Sequence, residues 1–220
     1  MKILQKVAIL IIIIILPVTL VLTAVRICLT PTFLEVEYRL PGFPTDSYGF
    51  TLTERLHWAK ISSAYLLDEI STSELASKYL PNGQPLYNAR EIEHMQDVKN
   101  LTKAAFVILY CGLGFLVSLC IIAWLIQWQK DYWQAIQYGG KLTIFLIFAL
   151  ILGVLLNFNQ IFTAFHGIFF ESGTWLFHFN DTLIRLFPLR FWQDIFLFIG
   201  GVNLLVALFL IFFSKQLMKK

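Results

Sequence analysis

Four long runs of apolar residues divide this chain of 220 residues. Each run is long enough to cross about 30 Å of hydrocarbon as a helix that rises about 1.5 Å per residue. The pattern therefore predicts four membrane spans, at about residues 7–25, 104–128, 142–165 and 191–213. We interpret residues 1–220 as a single membrane domain of all-α polytopic class, in which residues 27–102 form a cap on one side of the bilayer.

The first apolar run has the basic residues Lys2 and Lys6 before it, as a signal peptide would. However, the run is longer than the apolar core of a signal peptide, and no pair of small residues marks a cleavage site after it. We therefore expect an uncleaved first span.

Within the cap segment, Leu34–Leu40 alternates strictly between apolar and polar residues. Such alternation is typical of a half-exposed strand. The turn-forming residues of Pro41–Pro44 follow it, and residues 47–51 are available to pair back. The pattern predicts a short strand or hairpin at this point of an otherwise helical cap.

Helix starts in the cap are marked by Ser, Thr or Asn followed three residues later by Glu, which is the capping-box signature. Three such pairs occur, at Thr51 and Glu54, at Ser71 and Glu74, and at Asn88 and Glu91. The first helix is expected to continue to about Ile70 and the second to end near Leu80. The third has no breaker before the second span, so we expect one helix to run from the cap into the membrane.

Composition and charge support this topology. The chain is 58% hydrophobic and only 14% charged, well outside the range of soluble domains. If the N-terminus is cytoplasmic, the inner segments hold one acid, Asp131, and seven lysines: Lys2, Lys6, Lys130, Lys141, Lys215, Lys219 and Lys220. The 27–102 segment holds ten acidic and six basic residues. The positive-inside rule then predicts two cytoplasmic termini and an extracytoplasmic cap, so the net charge of +3 reflects topology and does not indicate nucleic-acid binding.

The strongest candidates for chemistry are two histidines at the outer ends of spans. His166 directly follows the third span and opens an aromatic stretch that continues to Trp192. His94 lies on the outer extension of the second span, with Arg90 and Asp97 on the same helical face. Ionisable groups at a membrane bundle are functional candidates, although an interfacial aromatic belt and a solvated charged face also explain such residues.

Several familiar motifs are absent from the sequence. It has no Gly-rich phosphate loop, no H-E-x-x-H, no C-x-x-C and no G-x-S-x-G. The cysteines offer no disulfide framework, since Cys28, Cys111 and Cys120 lie in or beside spans. We therefore expect neither a cofactor nor a metal.

The remaining polar residues of interest have plainer interpretations. Asn157, Asn159 and Gln160 cluster in the outer part of the third span, where they either bond to other helices or line a polar cleft toward the histidine at its end. His57 and His178 are expected to be interfacial or packed histidines without a chemical role.

At this point the sequence resembles a known family. The segments that carry the resemblance are Thr53–Arg55, Arg90–Lys99 and Phe165–Phe170, together with Trp175 and Phe191–Trp192. They resemble the corresponding segments of the lipoprotein intramolecular transacylases of Gram-positive bacteria. The resemblance extends over nearly the whole chain, including the four spans and the large first outer loop.

The resemblance implies an enzyme that moves a fatty acyl chain from the S-glyceryl ester of a lipoprotein's N-terminal cysteine to the α-amino group of that cysteine. The product is a lyso-form lipoprotein, and the partners are the diacylated lipoprotein and membrane lipid. It further implies that His94 and His166 are the catalytic residues, at the outer leaflet of the bacterial cell membrane, with Asp97, Arg90 and Glu171 in support. We expect His166 to accept and return the proton that this reaction moves.

Two other classes of function remain open from the sequence. One is a different interfacial lipid enzyme, either a hydrolase or an acyltransferase with a separate acceptor. The other is a non-enzymatic membrane subunit, such as a sensor or an assembly factor, in which the histidines are structural.

Overall fold

The computed structural model describes residues 3–219, in which helices are joined by loops and turns. The only β pairing within it is an isolated bridge between Tyr79 and Pro85. Eight helices follow one another: α1 (Ile3–Cys28), α2 (Pro31–Glu37), α3 (Leu52–Leu66), α4 (Thr72–Ala76), α5 (Ala89–Leu125), α6 (Gln129–Phe169), α7 (Thr182–Leu186) and α8 (Leu189–Leu217).

The four long helices confirm the four predicted spans. α1, α5, α6 and α8 contain 26, 37, 41 and 29 residues and are each long and apolar enough to cross a membrane. All four are longer than their apolar runs, and α5 and α6 the most so, because α5 begins in the cap and α6 begins before its span. The chain is therefore a multi-pass membrane protein.

The predicted strand at Leu34–Leu40 was wrong, since residues 31–37 form helix α2. Pro31 occupies the first turn, where its missing N–H costs nothing, and the Thr30 hydroxyl accepts the N–H of Phe33 at 3.3 Å. The buried residues of α2 are Phe33, Leu34 and Glu37, which follow helical spacing. A short alternating run also places apolar residues four positions apart, as one face of a helix does. Thr30 followed by Pro31 is the helix-start signal of this segment.

The chain divides into two compact units, the first of which comprises residues 1–25, 105–156 and 197–220. Its core contains Ile12 and Leu16 of α1, Leu116 of α5 and Tyr132 of α6. Gly139 allows a close helix approach here, because a Cβ at this position would lie 2.9 Å from the Leu16 side chain. This unit contains no histidine.

The second unit comprises residues 26–104 and 157–196, and it contains all four histidines. Its helix α3 packs against α2, α4 and α7. The predicted capping box at Thr51 and Glu54 is present, and Ser71 caps α4. Both helices are shorter than expected, ending at Leu66 and Ala76.

Helix α6 is interrupted at Asn157, whose φ of −158° and ψ of 84° are not helical. The Asn157 side-chain oxygen accepts the N–H of Gln160 at 3.2 Å, so that it caps the segment that follows. The continuation of α6 after this break belongs to the second unit and ends with the histidine-bearing turn. Asn157, for which the sequence suggested either bonds to other helices or a place in a polar cleft, thus caps the continuation of its own helix.

Candidate active site

The position of His94 is set by the first turn of α5. Asn88 Oδ1 accepts the N–H of Glu91 at 3.0 Å, and Glu91 Oε2 accepts the N–H of Asn88 at 2.8 Å, which is the predicted capping box. Glu91 Oε1 also accepts the N–H of Leu183 in α7 at 2.7 Å. Because Glu91 is 2% exposed, its carboxylate fixes α5 to α7 from inside the cap. His94 follows three residues later and is 6% exposed.

His166 lies in the last turn of α6, and its Nδ1 is 2.8 Å from the carbonyl oxygen of Phe162. A carbonyl oxygen can only accept a hydrogen bond, so Nδ1 carries the hydrogen. In the neutral imidazole, Nε2 is therefore the nitrogen with the available lone pair. The backbone of α6 thus selects the tautomer of His166 and its basic atom.

The two imidazoles lie side by side. The ring centroids of His94 and His166 are 6.2 Å apart, and their planes differ by 20°. Both side chains are buried, although 71 residues separate them in the sequence. The structure therefore brings together the two histidines that the sequence selected.

Aromatic side chains surround this histidine pair. Phe170 lies 5.0 Å from the ring of His94 and 5.5 Å from that of His166. Phe177 is 5.4 Å from His94, while Trp175 is 4.7 Å from His166. We call the cluster of Phe162, Phe170, Trp175 and Phe177 the aromatic enclosure. Such surroundings strengthen electrostatic interactions, because little water competes for them.

Two buried polar atoms of this site have no hydrogen-bond partner anywhere in residues 3–219: Nδ1 of His94 and Nε1 of Trp175. Native structures leave few buried polar atoms unsatisfied, and each such atom calls for an explanation. In the same described residues, four other buried atoms without a partner lie outside the site, on Glu37, Arg55, Trp128 and Ser214. The two at the site are distinguished by belonging to the rings of the histidine pair and its aromatic enclosure.

The three supporting residues predicted from the sequence have different positions. The Arg90 guanidinium donates to the carbonyl oxygen of Leu176 and lies 5.8 Å from the ring of Phe177, so it holds the aromatic loop. The Asp97 carboxylate makes no hydrogen bond to His94. Glu171 is exposed, and its carboxylate has no ion pair among the described residues. Of the three, only Arg90 contacts the aromatic enclosure.

The other two histidines lie outside the pair. His57 is exposed and packs edge-on against Trp58 at 4.6 Å. His178 is exposed too, and its backbone N–H donates to the Asp181 carboxylate at 2.8 Å. Neither ring contacts the histidine pair in the described part of the chain.

Sequence reasoning missed two residues of the site. Phe177 contacts His94 and Arg90, yet it is one of many aromatic residues in its stretch and nothing in the sequence distinguishes it. Glu91 was expected only to cap a helix, whereas its second oxygen also reaches Leu183. No cluster of three His, Cys, Asp or Glu side chains suitable for a metal occurs in residues 3–219.

The fold and the site together define a multi-pass membrane protein with a buried histidine pair suited to proton transfer. The family model described as lipoprotein intramolecular transacylase Lit matches residues 9–192. The chain belongs to this family. The family's activity is acyl transfer on lipoproteins, and the protein is an acyltransferase.

The chain is also similar to one further protein and, in fold, to solved structures. A protein of Aquifex aeolicus (strain VF5), described as uncharacterized, is 30% identical over 210 residues, which cover 94% of this chain and 93% of that protein. The crystal structure of the lipoprotein intramolecular transacylase Lit from Bacillus cereus has a TM-score of 0.76 at 18% identity, covering 98% of this chain and 96% of that one. A variant of the Bacillus protein with one histidine replaced by alanine has a TM-score of 0.67 at 17% identity, covering 98% and 94% of the two chains.

Proposed function

We propose that the protein moves an acyl chain from the S-glyceryl ester of a diacylated lipoprotein's N-terminal cysteine to the α-amino group of that cysteine. The observation that carries this proposal is the pair of buried imidazoles, whose centroids are 6.2 Å apart inside the aromatic enclosure. Membership of the transacylase family supports the same reaction.

The proposed reaction needs no other reactant. The amine nitrogen attacks the ester carbonyl carbon, so that a C–N bond forms and the carbonyl oxygen takes up negative charge. The C–O bond to glycerol then breaks, the nitrogen loses a proton and the glyceryl oxygen gains one. Because donor and acceptor belong to one molecule, holding them in attack geometry supplies up to about 7–11 kcal/mol of the barrier.

Proton transfer is the chemical task that this leaves to the protein. An α-amino group has an unperturbed pKa of about 7.7–8.0, so most of it is protonated at neutral pH. The amine must therefore lose a proton before it can attack. His166 is suited to this role, since its Nδ1 is committed to the Phe162 carbonyl and its Nε2 remains to accept a proton. We assign the second proton-carrying role to His94, which lies against His166 and has no bonded Nδ1 partner in the described chain.

The reaction is proposed to occur at the outer leaflet, with both termini in the cytoplasm. The lysine-rich inner segments and the acidic 27–102 segment support this orientation. Moving a lipid tail into water costs about 0.8 kcal/mol per CH₂, so the ester must be met at the membrane surface. Both histidines belong to the cap-containing unit, as a site at that surface requires.

Mass spectrometry of the N-terminal lipopeptide from a diacylated lipoprotein, with and without this protein, tests the proposal. Intramolecular transfer leaves the mass unchanged and yields an N-acyl fragment. Loss of one acyl chain would instead indicate a hydrolase, and a gain would indicate a second acyl donor. Unaltered fragmentation would contradict any acyl-transfer role.

Variants of the four histidines sharpen the test. His166→Gln retains hydrogen-bonding capacity but cannot carry a proton near neutrality, so we expect a rate at least about 10²-fold lower with substrate binding retained. His94→Ala should also abolish the N-acyl product. His57→Ala and His178→Ala are matched controls that should keep activity. A His166→Gln variant within a few-fold of the wild-type rate would refute the proton-transfer role.

A further inference from the structure

The indole N–H of Trp175 is not used in the hydrogen bonding of the described chain, and neither is that of Trp128, which belongs to the first unit, where there is no histidine. Nε1 of Trp175 is buried and has no acceptor within residues 3–219. Burying a donor without a partner costs about 1–3 kcal/mol. The nearby Trp192 differs, because its Nε1 donates to the carbonyl oxygen of Phe187 at 3.1 Å. Both indoles contact Phe162, at 6.4 Å and 6.0 Å, yet only that of Trp192 is satisfied.

Trp175 lies directly beside the residue to which we assign the proton transfer. Its ring centroid is 4.7 Å from that of His166, and the planes differ by 38°. The ring that carries the unsatisfied donor therefore contacts the ring of the base, and an ester carbonyl that an amine attacks beside this base lies next to the indole.

We propose that Trp175 is a further catalytic residue, whose indole N–H donates a hydrogen bond to the carbonyl oxygen of the transferred acyl group. This inference rests on the acyl transfer proposed above. When the amine attacks, the carbonyl π electrons move onto this oxygen, and the N–H stabilises the negative charge until the C–O bond to glycerol breaks. The indole keeps its hydrogen throughout, so it neither gives a proton to the substrate nor takes one from it.

The chemistry of the site favours an indole for this task. Its N–H is a donor only, so it cannot take the proton that the amine must lose. Both imidazoles have basic nitrogens and are needed for the proton itself. A neutral donor that is separate from them allows proton transfer and oxyanion stabilisation to proceed together.

The loop that carries Trp175 is held in place before any substrate binds. Arg90 donates to the carbonyl oxygen of Leu176, the next residue, and its guanidinium also lies over Phe177. Arg90 is on α5, four residues before His94. A donor fixed in advance stabilises developing charge without the cost of reorganisation, which makes such donors effective in catalysis.

The first test compares Trp175→Phe with Trp192→Phe in the full-length protein, using a synthetic diacylated lipopeptide. Removing one oxyanion donor typically lowers kcat by about 10²–10³-fold. We expect this loss in Trp175→Phe with KM within a few-fold of wild type, while Trp192→Phe keeps kcat within about fivefold. Replacing Trp175 with benzothienylalanine preserves both rings and substitutes sulfur for the N–H, so it should show the same loss in a protein with intact packing.

The second test changes the substrate. A thionoester analogue carries sulfur in place of the carbonyl oxygen and is a weak hydrogen-bond acceptor. The wild type should lose at least about tenfold more rate on this change than Trp175→Phe does, since the variant has no donor left to lose. Equal losses in the two proteins would overturn the inference, as would a benzothienylalanine variant with wild-type kcat. A wild-type protein that forms no N-acyl product from the oxygen ester would instead refute the proposed function.

Discussion

Glu91 is the clearest single structural support of the site. Its buried carboxylate accepts the N–H of Leu183 at 2.7 Å and that of Asn88 at 2.8 Å, and His94 follows one turn later. The carboxylate thus joins the start of α7 to the start of α5. We predict that Glu91→Ala destabilises the cap and lowers activity by displacing His94, while the chemistry of both imidazoles is unchanged.

The size of the effect follows from the two bonds. Hydrogen bonds to charged groups contribute about 1.5–3 kcal/mol each, so Glu91→Ala should cost about 3–6 kcal/mol of stability. Glu91→Gln keeps one acceptor and turns an NH₂ toward the other N–H, and should cost about half as much. The hydrogen bond from the Leu183 N–H accounts for about half of the lost stability. Without it, the Leu183 amide should exchange about 10- to 100-fold faster, since 1.4 kcal/mol corresponds to a factor of ten.

Hydrogen exchange followed by mass spectrometry measures this prediction directly on the peptide that contains Leu183. The matched control is Glu93→Ala, because Glu93 is exposed on the same helix and should change stability by less than about 0.5 kcal/mol. If Glu91→Ala leaves the exchange of the Leu183 amide and the unfolding free energy as in the wild type, the buried carboxylate does not hold the two helices together.

Two further predictions concern pH and topology. Burial, and then the neighbouring Asp194 carboxylate, raise the pKa of Glu37 to about 7. An unfolded glutamate ionises near pH 4.3, so charging Glu37 should destabilise the folded protein as pH rises from about 4.5 through 7. Glu37→Gln should therefore raise the melting temperature of the protein at pH 8 but not at pH 4.5. An effect that is equal at both pH values would exclude the ionisation of Glu37 as its cause. For topology, a single cysteine placed at Asn82 in a cysteine-free background should react with an impermeant thiol reagent on intact cells, and labelling only after lysis would reverse the proposed orientation.

Much of the helical framework was predictable because membrane spans depend on simple physics. A run of about 20 apolar residues has few stable alternatives to a spanning helix, and each of the four predicted runs corresponds to one long apolar helix. The capping pairs at Thr51 and Asn88 were also found, since they depend on residues only three apart. The helix at Pro31–Glu37 was missed because a short alternating pattern does not separate a strand from a helix, and the burial of its residues decides between them.

The site was predictable only in part, for a different reason. Residue type and position at the ends of spans selected His94 and His166, and the structure brings their rings together. Spacing along α5 also suggested Asp97 as a partner of His94, but a shared helical face does not ensure a hydrogen bond. The contacts of Trp175 and Phe177 depend on a loop that Arg90 holds from another helix, and no local pattern encodes such a long-range contact.

The burial of the histidine pair bears on which nucleophile reacts. Water competes with the α-amine for the same ester carbonyl, and an open site would release a free fatty acid. His94 and His166 are only 6% and 8% exposed, and aromatic rings contact both imidazoles. Such an environment disfavours a charged, hydrated nucleophile and favours a neutral amine that arrives on the substrate itself. In the proposed reaction, the enclosure that keeps the imidazoles from bulk water therefore favours acyl transfer to the amine over hydrolysis by the same two histidines.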